Sequence, residues 1–412
     1  MPNTFRPETE RQLCDAIMWA LEGQLAFSVQ GGGSKRAFGR PVELAYTLDL
    51  TGFSGITLYQ PEELVITAKA ATPLVEIEAA LAEKNQHLAF EPATLAPVYG
   101  GEGSGAMTGT VGGALACNLS GPRRITAGAA RDHLLGFHAV SGRGEAFKSG
   151  GRVVKNVTGF DLSKLMAGSF GTLAVMTDVS LKVLPAPEKT RTVLISGADD
   201  RRAVEAMTAA LCSPYEISAA AHMPKAAATR SAVTYVSGAG QAVTAVRIEG
   251  IAPSVAARCE SVKKLLQPFG TIEELHSANS VALWREIRDV AFFAGADRGG
   301  QQIWRLSVPP SEGAGVVHRV TRDLDGEAYY DWGGGLIWLA IAPREDAGAG
   351  IVRGAVSASG GHATLLRADD AVRSRVPVFQ PQPAPLAALT KRVKQAFDPK
   401  GALNPGRMIL GV

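Results

Sequence analysis

Residues Gly150–Pro185, GGRVVKNVTGFDLSKLMAGSFGTLAVMTDVSLKVLP, carry the most fold information in the chain. Asp161 to Met166 reads as a short helix that Gly168 stops. From Thr172 to Leu184 the residues Leu173, Val175, Val179, Leu181 and Val183 fall on odd positions, the two-residue period of a strand. Pro185 and Pro187 then end the pattern, and a domain boundary is expected there. Lys155 and Asn156 interrupt an apolar run, where a polar ligand would satisfy them; a surface salt bridge is the plainer role for Lys155.

Two more glycine-rich segments lie upstream. Gln30–Pro41, QGGGSKRAFGRP, follows a strand expected at Leu25–Val29. Gln30, Gly31, Gly32, Gly33 and Ser34 form a loop able to turn several N–H groups toward an anion. A dinucleotide fingerprint needs a helix directly after its glycines, and Gly39 and Pro41 forbid one here. A phosphate loop ends Gly-Lys-Ser/Thr, whereas Gly33-Ser34-Lys35 has the order reversed. The other segment, Tyr99–Asn118, has seven glycines in twenty residues, so its backbone can approach a flat ligand. Thr108, Thr110 and Asn118 offer it hydroxyls and an amide, while Val111, Ala114 and Leu115 argue for partial burial.

Around these segments the pattern is α+β. Pro7–Gly23 reads as a helix with Leu13, Ile17 and Leu21 on one face, and Ile56–Tyr59 and Leu64–Ala70 as strands. Thr72 is expected to cap a helix beginning at Pro73, with Leu74, Ile77 and Leu81 inward. A last helix is expected at Leu386–Phe397, before a tail through Asn404 and Arg407. The expected domains are 1–185, 186–385 and 386–412, with no internal repeat visible.

Composition narrows the function classes. With 46% hydrophobic and 20% charged residues, the chain can build a large core. A net charge of +3 without a dense basic block gives no argument for nucleic-acid binding, and none is expected. The four cysteines, Cys14, Cys117, Cys212 and Cys259, are too scattered for an iron–sulfur cluster and fit a reducing cytoplasm. Neither a signal peptide nor a membrane-spanning apolar run is evident.

Taken together, the three glycine-rich segments resemble the FAD domain of the vanillyl-alcohol-oxidase/PCMH superfamily. Gly150–Pro185, Asp331–Trp338 and Gly360–Arg367 are similar to the FAD subunits of glycolate oxidase. The resemblance implies two α+β subdomains with FAD between them, a second α+β cap-like domain and a C-terminal return. It also implies that Gln30–Ser34 hold the pyrophosphate and that Thr108, Thr110, Val111, Gly112, Gly113, Asn118, Lys155 and Asn156 line the cofactor. Gly171, Thr172, Leu173 and Val175 would pass its adenine end, and Asn404 and Arg407 would close on the flavin. Phe160 stands where the family has Tyr, and Ala174 where it has Gly. The first histidine is His87, so the loop has no histidine to tether the flavin, and non-covalent FAD is expected.

Related 2-hydroxy-acid dehydrogenases carry a His-x-Gly-Asp-Gly-Asn-x-His metal segment that this chain lacks; no metal site is expected. The resemblance implies a sister FAD subunit with that segment, an iron–sulfur subunit, glycolate as substrate, and a cytoplasmic or peripheral inner-membrane location. A largely structural flavin carrier and a free-standing flavin oxidoreductase stay open. Trp332, Trp338, His362 and Arg367 are the substrate-side candidates, Arg367 for a carboxylate and His362 for a proton.

Overall fold

The computed structural model describes residues 3–99, 109–153, 159–295, 298 and 300–411. Thr108, Lys155 and Asn156 lie outside the described residues.

The first helix spans Glu10–Glu22 and starts where Thr9 accepts the Gln12 N–H, three residues later than Pro7 suggested. Its inner residues Leu13, Ile17 and Ala20 pack on a three-stranded parallel sheet, ordered Asn3–Phe5, Tyr46–Asp49, Phe27–Gln30. Beside it stands a five-stranded antiparallel sheet, ordered Ile56–Gln60, Val65–Lys69, Ala174–Lys182, Leu134–Ser141, Ala146–Gly150. Ala174–Lys182 is nearly all buried, between Val65–Lys69 and Leu134–Ser141.

The expected Thr72 cap is corrected. The helix is Leu74–Ala82 with Pro73 at its N-cap. Thr72 Oγ1 instead accepts the Gly55 N–H and lies close to the Lys69 and Gly55 carbonyls, closing the turn after the strand. A hydroxyl beside a proline found a nearer set of backbone partners than the helix offered.

The second half is an eight-stranded antiparallel sheet, ordered Thr271–His276, Lys189–Ser196, Val243–Gly250, Ile217–Met223, Gly326–Asp331, Leu336–Ile341, Gln302–Ser307, His362–Arg367. It consists of two βαββαβ units. Helices Asp200–Leu211 and Ala252–Leu266 belong to the first, Gly313–Asp323 and Ala349–Ser357 to the second. The units meet edge to edge through one residue pair, His222 opposite Tyr330. The expectation of no internal repeat therefore fails at the level of structure: the repeat is one of topology, which residue identities need not follow. The helices cover one face of the sheet. On the other face Trp338, Tyr329 and Leu366 pack with Phe38, Leu95 and Val98 from the first half.

Two charged knots fix the assembly. The last helix, Ala384–Phe397, buries Lys394, whose Nζ donates to the Thr172 and Leu403 carbonyls and to Asp398. Asp398 in turn accepts the Ala402 and Leu403 N–H groups, so the tail bridges in parallel to Phe27. Between the halves, Glu91 accepts two bonds from Arg247, at 2.9 and 3.0 Å, and pairs with Arg123 at 2.8 Å. Arg123 also grips Glu249 at 2.6 and 2.8 Å. Burial by itself would raise both carboxyl groups, but Arg247 and Arg123 hold them below the usual range.

Glu91→Gln leaves two guanidiniums facing a neutral amide, and should destabilise the chain by about 3–5 kcal/mol. The depressed carboxylates stabilise fully above the unfolded value near 4.5 and lose that contribution as pH falls through the folded value. Urea unfolding should thus show a lower midpoint for the variant at neutral pH and a shallower acid loss than wild type. An unchanged midpoint would mean that the network does not join the halves.

Candidate functional site

A cleft of about 920 Å³ opens between the parallel sheet and the five-stranded sheet. The loop after Phe27–Gln30 forms one wall, with no helix between Gln30 and Tyr46. Gly33 adopts φ 75°, which lets the loop reverse where a side chain would strain it. The backbone N–H groups of Gly32, Gly33, Ser34 and Lys35 meet no protein acceptor among the described residues. Carbonyls on the far side of the loop are taken by two guanidiniums. Arg407 donates to Lys35 and Arg36 at 3.0 and 2.8 Å, and Arg373 to Ala37 and Gly39 at 2.6 Å each.

Lys35, Arg36 and Arg407 line the cleft, and among the described residues no carboxylate does. Burial lowers the Lys35 ammonium, whose hydrogen bond goes to Ser34 Oγ at 3.2 Å. Cys117, also lining the cleft, is pushed up to about 11, chiefly by burial, so its sulfur stays a thiol at neutral pH. A cradle of free N–H donors and uncompensated cations fits a diphosphate. Lys35 and Cys117 were not singled out in the sequence; Lys35 was visible there, one residue past the glycines.

Residues 100–108 of the second glycine-rich segment lie outside the described residues. Thr110 caps a short helix, Val111–Ala116, accepting the Gly113 N–H at 3.2 Å. Thr110, Gly112 and Gly113 line the cleft, with Gln30, Gly31, Gly32, Gly33 and Ser34. Gly112 is glycine for a packing reason, since a Cβ there would stand 2.6 Å from the Ala70 carbonyl oxygen. Val111 points into the core rather than the cleft. The Asn118 side chain is turned away, its Oδ1 accepting the Arg131 N–H at 3.1 Å.

Gly171 and Val175 line the cleft with Ala174, whereas Thr172 and Leu173 do not. Thr172 Oγ1 donates to the Ser169 carbonyl, and Leu173 is core. Ala174 thus brings its methyl to the cleft wall, while Phe160 is 91% exposed and lies outside that wall. Asn404 staples the wall: its Oδ1 accepts the Val29 N–H at 2.8 Å and its Nδ2 donates to the Phe170 carbonyl at 2.9 Å.

The substrate-side candidates separate. Arg367 spends its guanidinium on the carbonyls of Gln301, Val98, Phe293 and Arg298, which corrects its expected role as a carboxylate clamp. Trp332 is buried and donates its Nε1 proton to the Gly121 carbonyl. Trp338 and His362 stand on the same sheet face, through the pairs Arg305–Trp338 and Ser307–His362.

Residues 2–150 match the FAD binding domain family, and residues 382–408 match the C-terminal domain of FAD linked oxidases. Glycolate oxidase subunit GlcE of Escherichia coli (strain K12) is 36% identical over 402 residues, 96% of each chain. The chain belongs to the GlcE family of glycolate oxidase subunits. Glycolate oxidase subunit GlcD of Bacillus subtilis (strain 168) is 38% identical over 85 residues, 21% of this chain and 18% of that protein. The fold is that of p-cresol methylhydroxylase with substrate bound, at TM-score 0.73 and 14% identity, over 99% of this chain and 88% of that one.

As a GlcE-family chain, the protein is an FAD-dependent oxidoreductase. Its cleft suits that cofactor on physical grounds, since a diphosphate supplies the negative counter-charge that the Lys35 ammonium lacks. Gly32→Val or Gly113→Val should weaken flavin retention about tenfold or more with the fold intact by circular dichroism. Full flavin occupancy in both variants would remove this loop from the cofactor's path. Acid precipitation of wild type should leave the flavin in the supernatant; flavin in the pellet would point to covalent attachment.

Proposed function

We propose that this chain is the FAD-carrying subunit of a glycolate oxidase complex, oxidising glycolate to glyoxylate together with a GlcD-like sister subunit and an iron–sulfur subunit. The near full-length similarity to a glycolate oxidase subunit carries this reading. Bound FAD supplies a two-electron acceptor. The chain's own residues bind and orient it: the free N–H groups after Gly31 and the Lys35 ammonium hold the diphosphate, and Gly171, Ala174 and Val175 shape the far end. Cys117 stays protonated and adds no anion beside that charge.

Oxidation of a 2-hydroxy acid also needs its hydroxyl proton removed as hydride leaves carbon. No group of three His, Cys, Asp or Glu among the described residues could hold a metal to polarise that hydroxyl. A partner therefore completes the chemistry, and electrons leave through the iron–sulfur subunit. No helix among the described residues is long and apolar enough to cross a membrane. The same missing donor set favours, as a second reading, a structural flavin carrier.

The assay compares glycolate-dependent dye reduction by the isolated chain and by the co-expressed three-subunit complex. The isolated chain should be slower by about 100-fold or more. Saturable turnover by the isolated chain at the complex's rate would place a complete active site within it. Loss of the complex's activity on Lys35→Ala would favour the flavin-active reading over the structural one.

A further inference from the structure

Away from the cleft, three side chains meet where the two halves join. Trp332 follows the strand Gly326–Asp331 and is fixed there by its bond to Gly121. The Arg124 guanidinium carbon stands 4.3 Å from the centre of its ring. Arg305, on Gln302–Ser307, stands 5.2 Å from the same ring and 5.9 Å from that of Trp338. Arg124 comes from the first half of the chain and Arg305 from the eight-stranded sheet, so the cluster exists only when the halves are joined.

None of this positive charge is neutralised by an ion pair. Neither guanidinium has a carboxylate or carbonyl partner among the described residues. Burial lowers Arg305 to about 10, and Arg124 adds repulsion. Asp331, the acid closest in effect, bonds the Trp332 N–H and is itself pushed up to about 7 by burial, so it offsets only part of the charge. Trp338 is 5% exposed, and its Nε1 proton meets no acceptor among the described residues. Desolvation, Arg305 and Arg124 lower His362, which stands on the same sheet face as Trp338.

Two arginines turned toward one indole, next to an indole N–H with nothing to donate to, are short of one thing, an anion with oxygen acceptors. Guanidiniums match carboxylate geometry, two N–H groups to two oxygens. We propose that Arg124 and Arg305, held around Trp332, form a subsite for the carboxylate of a small organic acid. The reading of the chain as a glycolate oxidase subunit enters only in the choice of glycolate as probe.

The test is calorimetric titration of the FAD-loaded chain with glycolate, and with glycolamide, which keeps the shape and removes the charge. Glycolate should bind saturably and glycolamide should not. Arg305→Gln and Arg124→Gln should each weaken glycolate binding about tenfold or more, with flavin absorbance unchanged. Arg305→Lys, keeping charge without the fork, should fall between. Absence of saturable glycolate binding, equal binding of glycolamide, or full binding by the doubly substituted chain would overturn the proposal. If a variant loses its flavin, the wild-type comparison of the two ligands decides by itself. Binding here without turnover by the complex would leave this site standing and remove the glycolate oxidase reading; turnover without binding here would do the reverse.

Discussion

The buried network of Glu91, Arg123, Arg247 and Glu249 is the constraint on which the arrangement of the two halves depends. Glu91 and Arg123 belong to the first half, Arg247 and Glu249 to the strand Val243–Gly250. Four charges out of water are stable only while all remain paired, so the network tolerates one relative placement of the halves. Arg123 adjoins Arg124, and Glu91 reaches back to the Arg123 N–H at 2.7 Å. The paired arginine thus sets the backbone from which the unpaired one extends toward Trp332.

The cofactor loop depends on distant parts of the chain in the same manner. Its N–H groups stay free because its carbonyls are claimed from behind by Arg407 and Arg373. Arg407 is positioned by a tail that Lys394 and Asp398 tie beside Phe27, and that Asn404 ties to Val29 and Phe170. A glycine-rich loop alone is a flexible turn; the side chains closing on it make it an anion cradle.

This division explains what could be read from the sequence. The alternation in Leu173–Val183, the stripe of Leu13 and Ile17, and the glycines at 31–33 are local patterns, and each lands in a strand, a helix or a loop as read. Residue roles decided by remote partners were not legible. Arg367 looks like a free clamp until four carbonyls from other loops are seen around it. Gly112 looks like a ligand-approach glycine until the Ala70 carbonyl is found behind it. The short helix Val111–Ala116 carries no local helix pattern; the Thr110 cap and the bonds of Val111 and Gly112 to Thr72 and Ala70 hold it.

Satisfied and unsatisfied cations separate structure from function in this protein. Arg123, Arg247, Lys394 and Arg367 are buried or nearly so, and each is met by carboxylates or carbonyls, as a stable fold requires. Lys35, Arg124 and Arg305 are each lowered chiefly by burial and have no such partners among the described residues. Folding would be easier with apolar residues in their places, because an unpaired buried charge costs more than it returns. Retaining them makes sense where an anion arrives to complete the pairing. Lys35 lines the cleft proposed for the cofactor's diphosphate, and Arg124 and Arg305 both stand against the Trp332 ring, where the proposed carboxylate would meet them.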